Sequence, residues 1–389
     1  MDTMIYSISD ISASILSGGD ASKFDCVDSP TEEYNVPVFA NAVANKGLYG
    51  YTNKPVVNKE AITIAARGAG VGFIAYRRAN FVPIVRLITI IPNETYALAK
   101  FLYYYLSTQN IIGGGAAIPQ LTVPMVKKIK VQLPPVDYQR RIASILSAYD
   151  NLIENNNKRI RLLEQMAENL YKEWFVRFRF PGHEKAEFEN GLPKGWIIEK
   201  IGNVCETIGG GTPSTEKPEY WDGEIKWVTP TDVTSKNSLP LLKVEGRITE
   251  EGLKKSSAKL LPPYTILMTS RASIGFFGIA PFEVCTNQGF ISIIPQRDNL
   301  RMYMLYMLKS RKDEITANAN GATFLEISKG RFRKMKMLLP PDSILESFEN
   351  KTMKIFNAIL KLEKQNDLLS RQRDLLLPRL MPGKLEVNV

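Results

Sequence analysis

The stretch AITIAARG at residues 61–68 decides the fold, because TILMTSRA at residues 265–272 repeats its pattern about 200 residues later. Both stretches alternate as a β-strand does, and both end in an arginine followed by a small residue. A period of about 200 residues is far longer than the 20 to 50 residues of solenoid repeats. The sequence therefore predicts a duplicated domain.

Further matches follow in the same order in both halves. They comprise a strand closed by proline, a short helical pattern, a glycine-bearing loop, a short segment after that loop, a basic strand and a Leu-Pro-Pro sequence. The pairs are LITIIP (87–92) with FISIIP (290–295), 97–107 with 302–310, GGGA (113–116) with NGA (320–322), IPQL (118–121) with FLEI (324–327), KKIKV (127–131) with RKMKM (333–337), and LPP at 133–135 with LPP at 339–341.

A long segment with heptad spacing follows each Leu-Pro-Pro sequence. Asp137 and Asp342 stand where a helix would begin, and apolar residues then recur at alternating steps of three and four. The expected contact positions are Ile142, Leu146, Tyr149, Ile153, Asn156, Ile160 and Leu163 in the first segment, and Ile355, Ile359, Leu362, Asn366 and Leu369 in the second. These patterns predict two helices of roughly 35 to 40 residues each.

The two long helices are expected to pair antiparallel, because the second can bury its apolar seam only by running back beside the first. Asn156 and Asn366 interrupt the two seams, and placing one opposite the other satisfies the pairing rule and fixes the register. The simpler alternative is that each helix packs only on its own domain. We expect an α+β protein with two pseudo-symmetric mixed α/β domains, at 1–135 and 181–341. Two long antiparallel coiled-coil helices, at 136–180 and 342–389, separate these domains, and the second helical segment ends in a tail.

Composition excludes several classes of function. The 389 residues contain one histidine, His183, and three scattered cysteines, so the sequence offers neither a catalytic triad nor a metal cluster. No phosphate-binding loop motif and no Asn/Asp-Pro-Pro-aromatic methyltransferase motif is present. The sequence has no membrane-spanning stretch and no signal peptide, so we expect a soluble, cytoplasmic, non-catalytic protein with no metal site.

The charge of +10 favours a polyanionic partner, although charge alone is a weak signal. Residues 1–135 carry 12 Lys and Arg against 9 Asp and Glu, and residues 181–341 carry 22 against 18. Arg, Asn, Gln and Thr in loops can bond base edges, whereas lysines mainly hold phosphates. The candidates for DNA contact are Arg67, Arg77, Arg78, Asn80, Lys217, Lys226, Thr229, Thr231, Asp232, Arg271, Asn287 and Gln288. The alternative for each is a solvated or structural role.

The second half also resembles a known family. It contains GW (195–196), IGNV (201–204), GGGTPS (209–214), YWDG (220–223), IKWVTPTD (225–232) and TNQGF (286–290), while LPP (133–135), QRRI (139–142) and LPRLM (377–381) lie in or beside the helical segments. These motifs resemble the specificity subunits of type I restriction-modification enzymes. The first half lacks the Gly-Trp opening and the Trp-Val-Thr-Pro stretch.

The resemblance implies two target-recognition domains, each reading one half of a bipartite asymmetric site in double-stranded DNA, with the helices setting the gap. It also implies partners: two modification subunits that methylate adenine with S-adenosylmethionine, and restriction subunits that use ATP and Mg²⁺. The chain itself would hold no cofactor. Two other functions stay open: a protein scaffold with duplicated interaction domains, and a self-sufficient DNA methyltransferase.

Overall fold

The structure is a computed structural model that describes residues 3–109, 111, 120–235, 238–321 and 324–381. The chain divides into two compact units, one formed by Met1–Ile153 with Leu368–Val389 and the other by Glu154–Asp367. Each unit thus includes part of both long helices, so the units do not coincide with the four expected segments. The expected loop at 113–116, Ala322 of its counterpart and the tail at 382–389 lie outside the described residues.

The first unit combines a four-stranded sheet, a three-stranded sheet and a two-stranded ladder. Its elements, in chain order, are β1 (Met4–Ser7), β2 (Ser12–Ser17), β3 (Val36–Phe39), β4 (Leu48–Thr52), β5 (Ala61–Ile64), β6 (Ile74–Arg77), β7 (Val82–Pro83), β8 (Ile88–Pro92), α1 (Ala99–Ser107), α2 (Val123–Lys127), β9 (Lys130–Leu133) and the start of α3 (Val136–Tyr171). The sheet orders are β2-β8-β5-β6, β4-β3-β7 and β1-β9.

The second unit contains the same three sheets with some additions. Its elements after α3 are β10 (Phe188–Glu189), β11 (Leu192–Pro193), β12 (Ile197–Lys200), β13 (Cys205–Gly209), β14 (Trp221–Val228), α4 (Pro230–Thr234), β15 (Arg247–Ile248), α5 (Glu250–Lys254), β16 (Ile266–Thr269), β17 (Phe277–Ile279), β18 (Cys285–Thr286), β19 (Phe290–Pro295), α6 (Arg301–Ser310), α7 (Lys312–Ala317), α8 (Lys329–Lys334), β20 (Lys336–Leu339) and most of α9 (Asp342–Leu380). The orders are β13-β19-β16-β17, β15-β14-β18 and β12-β20, with β10 paired to β11.

The two units share one topology. Each four-stranded sheet is antiparallel throughout, with strands in equivalent chain order. Each three-stranded sheet contains one parallel pair, β3 with β7 and β14 with β18. The duplication expected from sequence is therefore present as two units of equivalent strand order.

The central strands are apolar on both faces, and this explains their position in the middle of each sheet. Every residue of β5 and of β16 is buried, so both faces of the strand are covered. Helix α6 is likewise buried from Met302 to Leu308. In the second unit the core also includes Trp174, which lies just after α3, and Phe348 of α9, and the centroids of their rings are 5.8 Å apart.

The contact positions of the long helices are covered within each unit. In the first unit Ile142 and Leu146 are buried, while Tyr149, Ile153 and Leu369 are half-buried; in the second unit Asn156, Ile160, Ile355, Ile359, Leu362 and Asn366 are buried, while Leu163 is half-buried. Asn156 contacts Asn366 and Tyr171 contacts Phe348 in the second unit, so the two helices run antiparallel there. In the first unit Asp150 pairs with Arg373.

The first long helix ends before the expected residue 180. A π-helical turn at Lys172–Val176 closes it, and Phe178 then adopts a left-handed backbone conformation with φ of 57°. Pro181 follows shortly and has no N–H to continue a helix. None of the helices in the described part of the chain combines the length and apolar composition that a bilayer span requires.

Candidate DNA interface

Each unit presents one arginine at the same place, just after the central strand of its four-stranded sheet. Arg67 follows β5 and Arg271 follows β16, and both side chains are exposed. Arg67 forms an isolated antiparallel bridge with Gln120, and Arg271 forms one with Glu326. The duplication therefore places both arginines in equivalent backbone surroundings.

The backbone around these arginines is fixed by equivalent hydrogen bonds. The Leu121 N–H donates to the carbonyl of Ala66 at 2.9 Å, and the Ile327 N–H donates to the carbonyl of Ser270 at 3.0 Å. Both accepting residues directly precede an arginine in the chain. A rigid short bridge thus supports each exposed side chain.

The two arginines differ in their side-chain partners. Nη2 of Arg67 donates to Oε1 of Gln120 at 3.0 Å, and this neutral amide does not offset the arginine charge. Nε of Arg271 lies 3.9 Å from Oε2 of Glu326, whose carboxylate offsets part of its charge. The same position therefore has a different electrostatic character in each unit.

A glycine loop after β13 crosses the end of β18 in the second unit. The Gly211 N–H donates to the carbonyl of Thr286 at 2.8 Å, and Nε1 of Trp227 donates to the carbonyl of Gly211 at 2.9 Å. A Cβ at Gly210 would lie 2.0 Å from the carbonyl oxygen of Asn287, so only glycine permits this approach. The loop is consequently held against the segment that carries Asn287.

Asn287 and Gln288 lie beside this glycine loop. Oδ1 of Asn287 accepts from the Gly289 N–H at 2.9 Å, so this side chain braces its own turn. Gln288 is exposed, and its Oε1 accepts from the hydroxyl of Thr212. Of the two, Gln288 is the more exposed, since Asn287 is half-buried.

Thr229 and Asp232 are joined to each other at the start of α4. Oδ2 of Asp232 accepts from both the N–H and the hydroxyl of Thr229, each at 2.8 Å. This contact closes the first turn of the helix, which places both residues in a structural role. Thr231, between them, is exposed.

The two lysine candidates each lie over an aromatic ring. Nζ of Lys217 is 5.2 Å from the ring centroid of Tyr220, and hydrogen bonding to Tyr220 raises the pKa of this exposed lysine. Nζ of half-buried Lys226 is 3.7 Å from the centroid of Phe282. Both ammonium groups therefore have a ring that orients them.

Arg77 requires a correction, because only 4% of this residue is exposed. Its Nε donates to the hydroxyl of Thr63 at 2.9 Å and its Nη2 to the carbonyl of Lys46 at 2.6 Å, while its guanidinium carbon lies 3.7 Å from the centroid of Phe39. Burial lowers the pKa of Arg77 to about 10. Arg77 is a structural residue of the first unit and not a surface contact.

The neighbours of Arg77 in the same turn do reach the surface. Arg78 and Asn80 are exposed between β6 and β7. Asn80 adopts a left-handed backbone with φ of 66°, a conformation that asparagine tolerates better than most residues. The turn thus offers two of its three candidates to a ligand.

Sequence reasoning missed Gln120, Glu326 and Thr212 as partners of the candidate residues. The available signal was the repeat itself, which aligned Gln120 with Glu326. Their side-chain partners are distant in sequence, so the repeat alone did not reveal these contacts.

Cysteine and histidine are among the residue types that most often act as nucleophile or as general acid and base in catalysis. Burial raises the pKa of Cys205 and of Cys285 to about 12, so neither thiol provides a thiolate at neutral pH. His183 is partly exposed, and its Nδ1 lies 2.9 Å from the carbonyl of Phe180. Among the residues that the structure describes, no group of three or more His, Cys, Asp or Glu is placed to hold a metal ion.

Two units of one topology, each with an exposed arginine at the same position, define a duplicated recognition protein. The family model of the type I restriction modification DNA specificity domain matches this chain at residues 2–165 and again at 193–374. The chain therefore belongs to the type I restriction-modification DNA specificity family. DNA target recognition is the role of its two units.

Similar proteins carry the same description. The type I restriction enzyme MjaIX specificity subunit of Methanocaldococcus jannaschii is 32% identical over 200 residues, which cover 51% of this chain and 46% of that protein. The chain thus spans less than half the length of that relative. The HindI specificity subunit of Haemophilus influenzae is 23% identical over 377 residues, covering 79% of this chain and 82% of that protein.

A solved structure shares the fold. The crystal structure of the type I restriction-modification system S subunit from M. genitalium superposes with a TM-score of 0.63 and 15% identity, and the match covers 100% of this chain and 97% of that one. At this identity the likeness concerns the fold alone.

Proposed function

We propose that each unit reads one half of a bipartite, asymmetric site in double-stranded DNA. The observation that carries this proposal is the pair Arg67 and Arg271. They occupy equivalent backbone positions in the two units but have different partners, Gln120 and Glu326. An arginine at an exposed loop can bond a guanine edge with both of its terminal nitrogens. Two different surroundings for the same side chain favour two different half-sites.

The paired helices set the number of base pairs between the half-sites and provide the docking region for the modification subunits. The buried contact of Asn156 with Asn366 supports this role, because a polar pair in an apolar seam specifies one register. With the register fixed, the spacing of the half-sites is fixed too. We expect half-site centres about one turn of DNA apart, roughly 34 Å.

Catalysis belongs to other subunits in this proposal. Two modification subunits would methylate adenine with S-adenosylmethionine, and restriction subunits would use ATP and Mg²⁺. The sequence supports this division, since it contains no Asn/Asp-Pro-Pro-aromatic methyltransferase motif and no phosphate-binding loop motif. We propose the cytoplasm as the place where the chain acts.

The test is selection from a randomised duplex pool by the full chain with its modification subunit, at stated salt concentrations. Salt must be stated because phosphate contacts otherwise mask specific binding. We expect two short blocks of different sequence separated by an invariant number of unread positions. A pool that shows no enrichment would overturn the proposal and favour a scaffold that binds protein.

Two further measurements separate the parts of the proposal. Replacing residues 1–135 by those of a relative should change one block and leave the other unchanged. Loss of both blocks by a folded chimera would contradict the modular reading of DNA.

Isothermal calorimetry of the isolated chain should show no binding of S-adenosylmethionine, whereas binding would favour a self-sufficient methyltransferase.

A further inference from the structure

We propose that both units make a second, sequence-independent contact with DNA. In each unit a cationic patch, separate from the candidate base-reading loops, binds the phosphate backbone. The patch consists of Lys127, Lys128 and Lys130 in the first unit and Arg333, Lys334 and Lys336 in the second. These are the same three positions of the repeat, 206 residues apart. The inference rests on the proposed function, because it assumes DNA as the ligand.

Both units build the patch in the same way. Thr122 caps α2 through its hydroxyl, which accepts from the Met125 N–H, and Ser328 caps α8 by accepting from the Arg331 N–H. Thr122 and Ser328 are themselves 206 residues apart. Each short helix therefore begins at an equivalent cap and ends at the cations.

The segment after each helix is also held equivalently. The Ile8 N–H donates to the carbonyl of Ile129, and the Ile201 N–H donates to the carbonyl of Met335, each at 2.9 Å. Ile129 and Met335 lie between the second and third cations of their patches. The spacing of the cations is consequently set by paired backbone in both units.

The cations are directed to solvent. All six residues of the patch are exposed, while Val126 and Phe332, which directly precede the first cation of each patch, are fully buried. Within the described residues, no carboxylate lies in ion-pair distance of the six side chains. Hydrogen bonding to Ser7 lowers the pKa of the Asp10 carboxyl, and the charge of Lys130 lowers it a little further, so Asp10 partly compensates the first patch.

The second patch contains an arrangement that an anion would relieve. Lys336 of β20 lies directly opposite Lys200 of β12 in the antiparallel ladder, and both lysines are exposed. Directly opposed side chains have Cβ atoms roughly 5 Å apart, and like charges in this position are destabilising. A phosphate between two such ammonium groups would turn the repulsion into attraction.

The patch is connected to the candidate base-reading arginine in each unit. Gln120 and Glu326 bridge to Arg67 and Arg271, and the chain passes from each bridge to the helix cap within two residues. A contact at the patch would thus be transmitted along a short, hydrogen-bonded path to the arginine. Phosphate contacts of this kind position a protein on DNA without reading sequence.

A purely structural role would leave DNA binding unchanged. Cations at a helix C-terminus stabilise the helix through its dipole, and both α2 and α8 end in basic residues. Such a role would lower the melting temperature when the charges are removed. It would not alter how DNA affinity depends on salt.

The experiment compares the full chain with two triple variants, K127Q/K128Q/K130Q and R333Q/K334Q/K336Q, in binding to a defined duplex across a salt series. Each lost phosphate contact should reduce the slope of log affinity against log salt by about 0.9, hence by up to about 2.7 for three. The wild-type chain would then lose roughly 40-fold more affinity than the variant between about 50 and 200 mM salt. We expect the larger change in the second unit, because Asp10 already compensates Lys130 in the first.

A charge-matched control is K351Q/K354Q/K361Q, which removes three exposed cations from α9. Triple variants whose slopes equal that of the control would overturn the patch. If the slope is unchanged but copurification of the modification subunit is lost, the patch binds an acidic protein surface and the proposal is also wrong. If a triple variant fails to fold, K334Q and K336Q singly should each change the slope by about 0.9.

The outcome for the patch is separable from that for the proposed function. A wild-type chain that binds all duplexes equally would refute sequence reading, while the slope difference would still measure phosphate contact. Conversely, retained sequence preference with unchanged slopes would refute only the patch. In the supporting result, the variants keep the preferred sequence and show a smaller salt slope than the wild type.

Discussion

Asn156 donates a hydrogen bond from its Nδ2 to Oδ1 of Asn366 at 2.9 Å, between the two long helices of the second unit. Nδ2 of Asn366 in turn donates to Oδ1 of Asn157 at 2.9 Å. Asn156 is 3% exposed and Asn366 is 7% exposed, so neither amide can turn to water. A slip of the helices would leave both amides unpaired in an apolar seam, which is the physical basis for a unique register.

Replacing Asn156 by alanine should lower the free energy of unfolding by about 1–3 kcal/mol, because Oδ1 of Asn366 then lacks this buried donor. Urea denaturation of the full chain measures the effect. Asn155→Ala is the matched control, since Asn155 is exposed on the same helix and should change stability by less than about 0.5 kcal/mol. Equal effects of the two changes would contradict a role for the buried pair.

The double variant N156L/N366L separates stability from register. It should unfold at a urea concentration near that of the wild type, because two apolar side chains can replace the polar pair in the seam. It should also accept more than one spacer length in duplex selection, since the polar pair then no longer specifies the register. A single spacer length in the double variant would show that other contacts fix the helices.

The register of the helices could be predicted from sequence, and the roles of several loop residues could not. Heptad spacing is a local pattern, so the positions of Asn156 and Asn366 in their seams followed from counting along each helix. Thr229 and Asp232 carried a readable signal too, because a threonine three residues before an acidic residue is typical of a helix start. The burial of Arg77 had no such signal.

Arg77 was misassigned because its partners are distant in sequence. Thr63 lies on the neighbouring strand, and the carbonyl of Lys46 comes from a turn before β4. The alternation of β6 is compatible with either face being covered, so RRANF (77–81) resembled an exposed basic turn. Only the assembled sheet shows that the first arginine points inward and that the second is exposed.

Arg77→Met should lower the free energy of unfolding by about 1–3 kcal/mol, because it removes the buried donor to Thr63 and to the Lys46 carbonyl while keeping most of the side-chain volume. Chemical denaturation checks this. The selected DNA sequence should not change. Arg86→Met, at an exposed position, serves as the control and should alter stability by less than about 0.5 kcal/mol.

Glu349 should make the stability of the second unit depend on pH. It is 9% exposed, and its Oε2 accepts from the Met302 N–H at 2.8 Å at the start of α6. Burial raises the pKa of Glu349 to about 7. The hydrogen bond from Met302 and the Arg301 guanidinium 3.6 Å away lower this pKa, but burial outweighs them, and the charge of Asp298 also raises the pKa. The folded chain therefore holds a proton that the unfolded chain releases near pH 4.5.

The sign follows from this difference in proton binding. As pH rises from about 4.5 to about 7, the unfolded state loses the proton first, so the contribution of Glu349 to stability falls over that range. Glu349→Gln keeps a carbonyl oxygen for Met302 and removes the titration. Its stability relative to the wild type should rise across the range by at most about 3 kcal/mol. Denaturation at several pH values measures this, and Glu346→Gln, exposed on the same helix, is the control.

Arg67→Ala and Arg271→Ala should each relax the preference at one half-site and leave the other half-site intact. Loss of a two-nitrogen contact to a base costs about 1–3 kcal/mol, which is roughly 5- to 150-fold in affinity for the preferred sequence. Competition between the selected duplex and duplexes altered in one block measures the effect. A change in both blocks on one substitution would contradict independent reading by the two units.

Arg67→Lys and Arg271→Lys distinguish a base contact from a phosphate contact. Lysine keeps the positive charge but lacks the planar fork that pairs with guanine, so a base-reading position should lose its preference while the salt slope stays near that of the wild type. Retained preference in both lysine variants would assign these residues to the backbone instead. Because Glu326 offsets part of the charge of Arg271 and the neutral Gln120 does not offset that of Arg67, we expect Arg67→Ala to lower the salt slope more than Arg271→Ala.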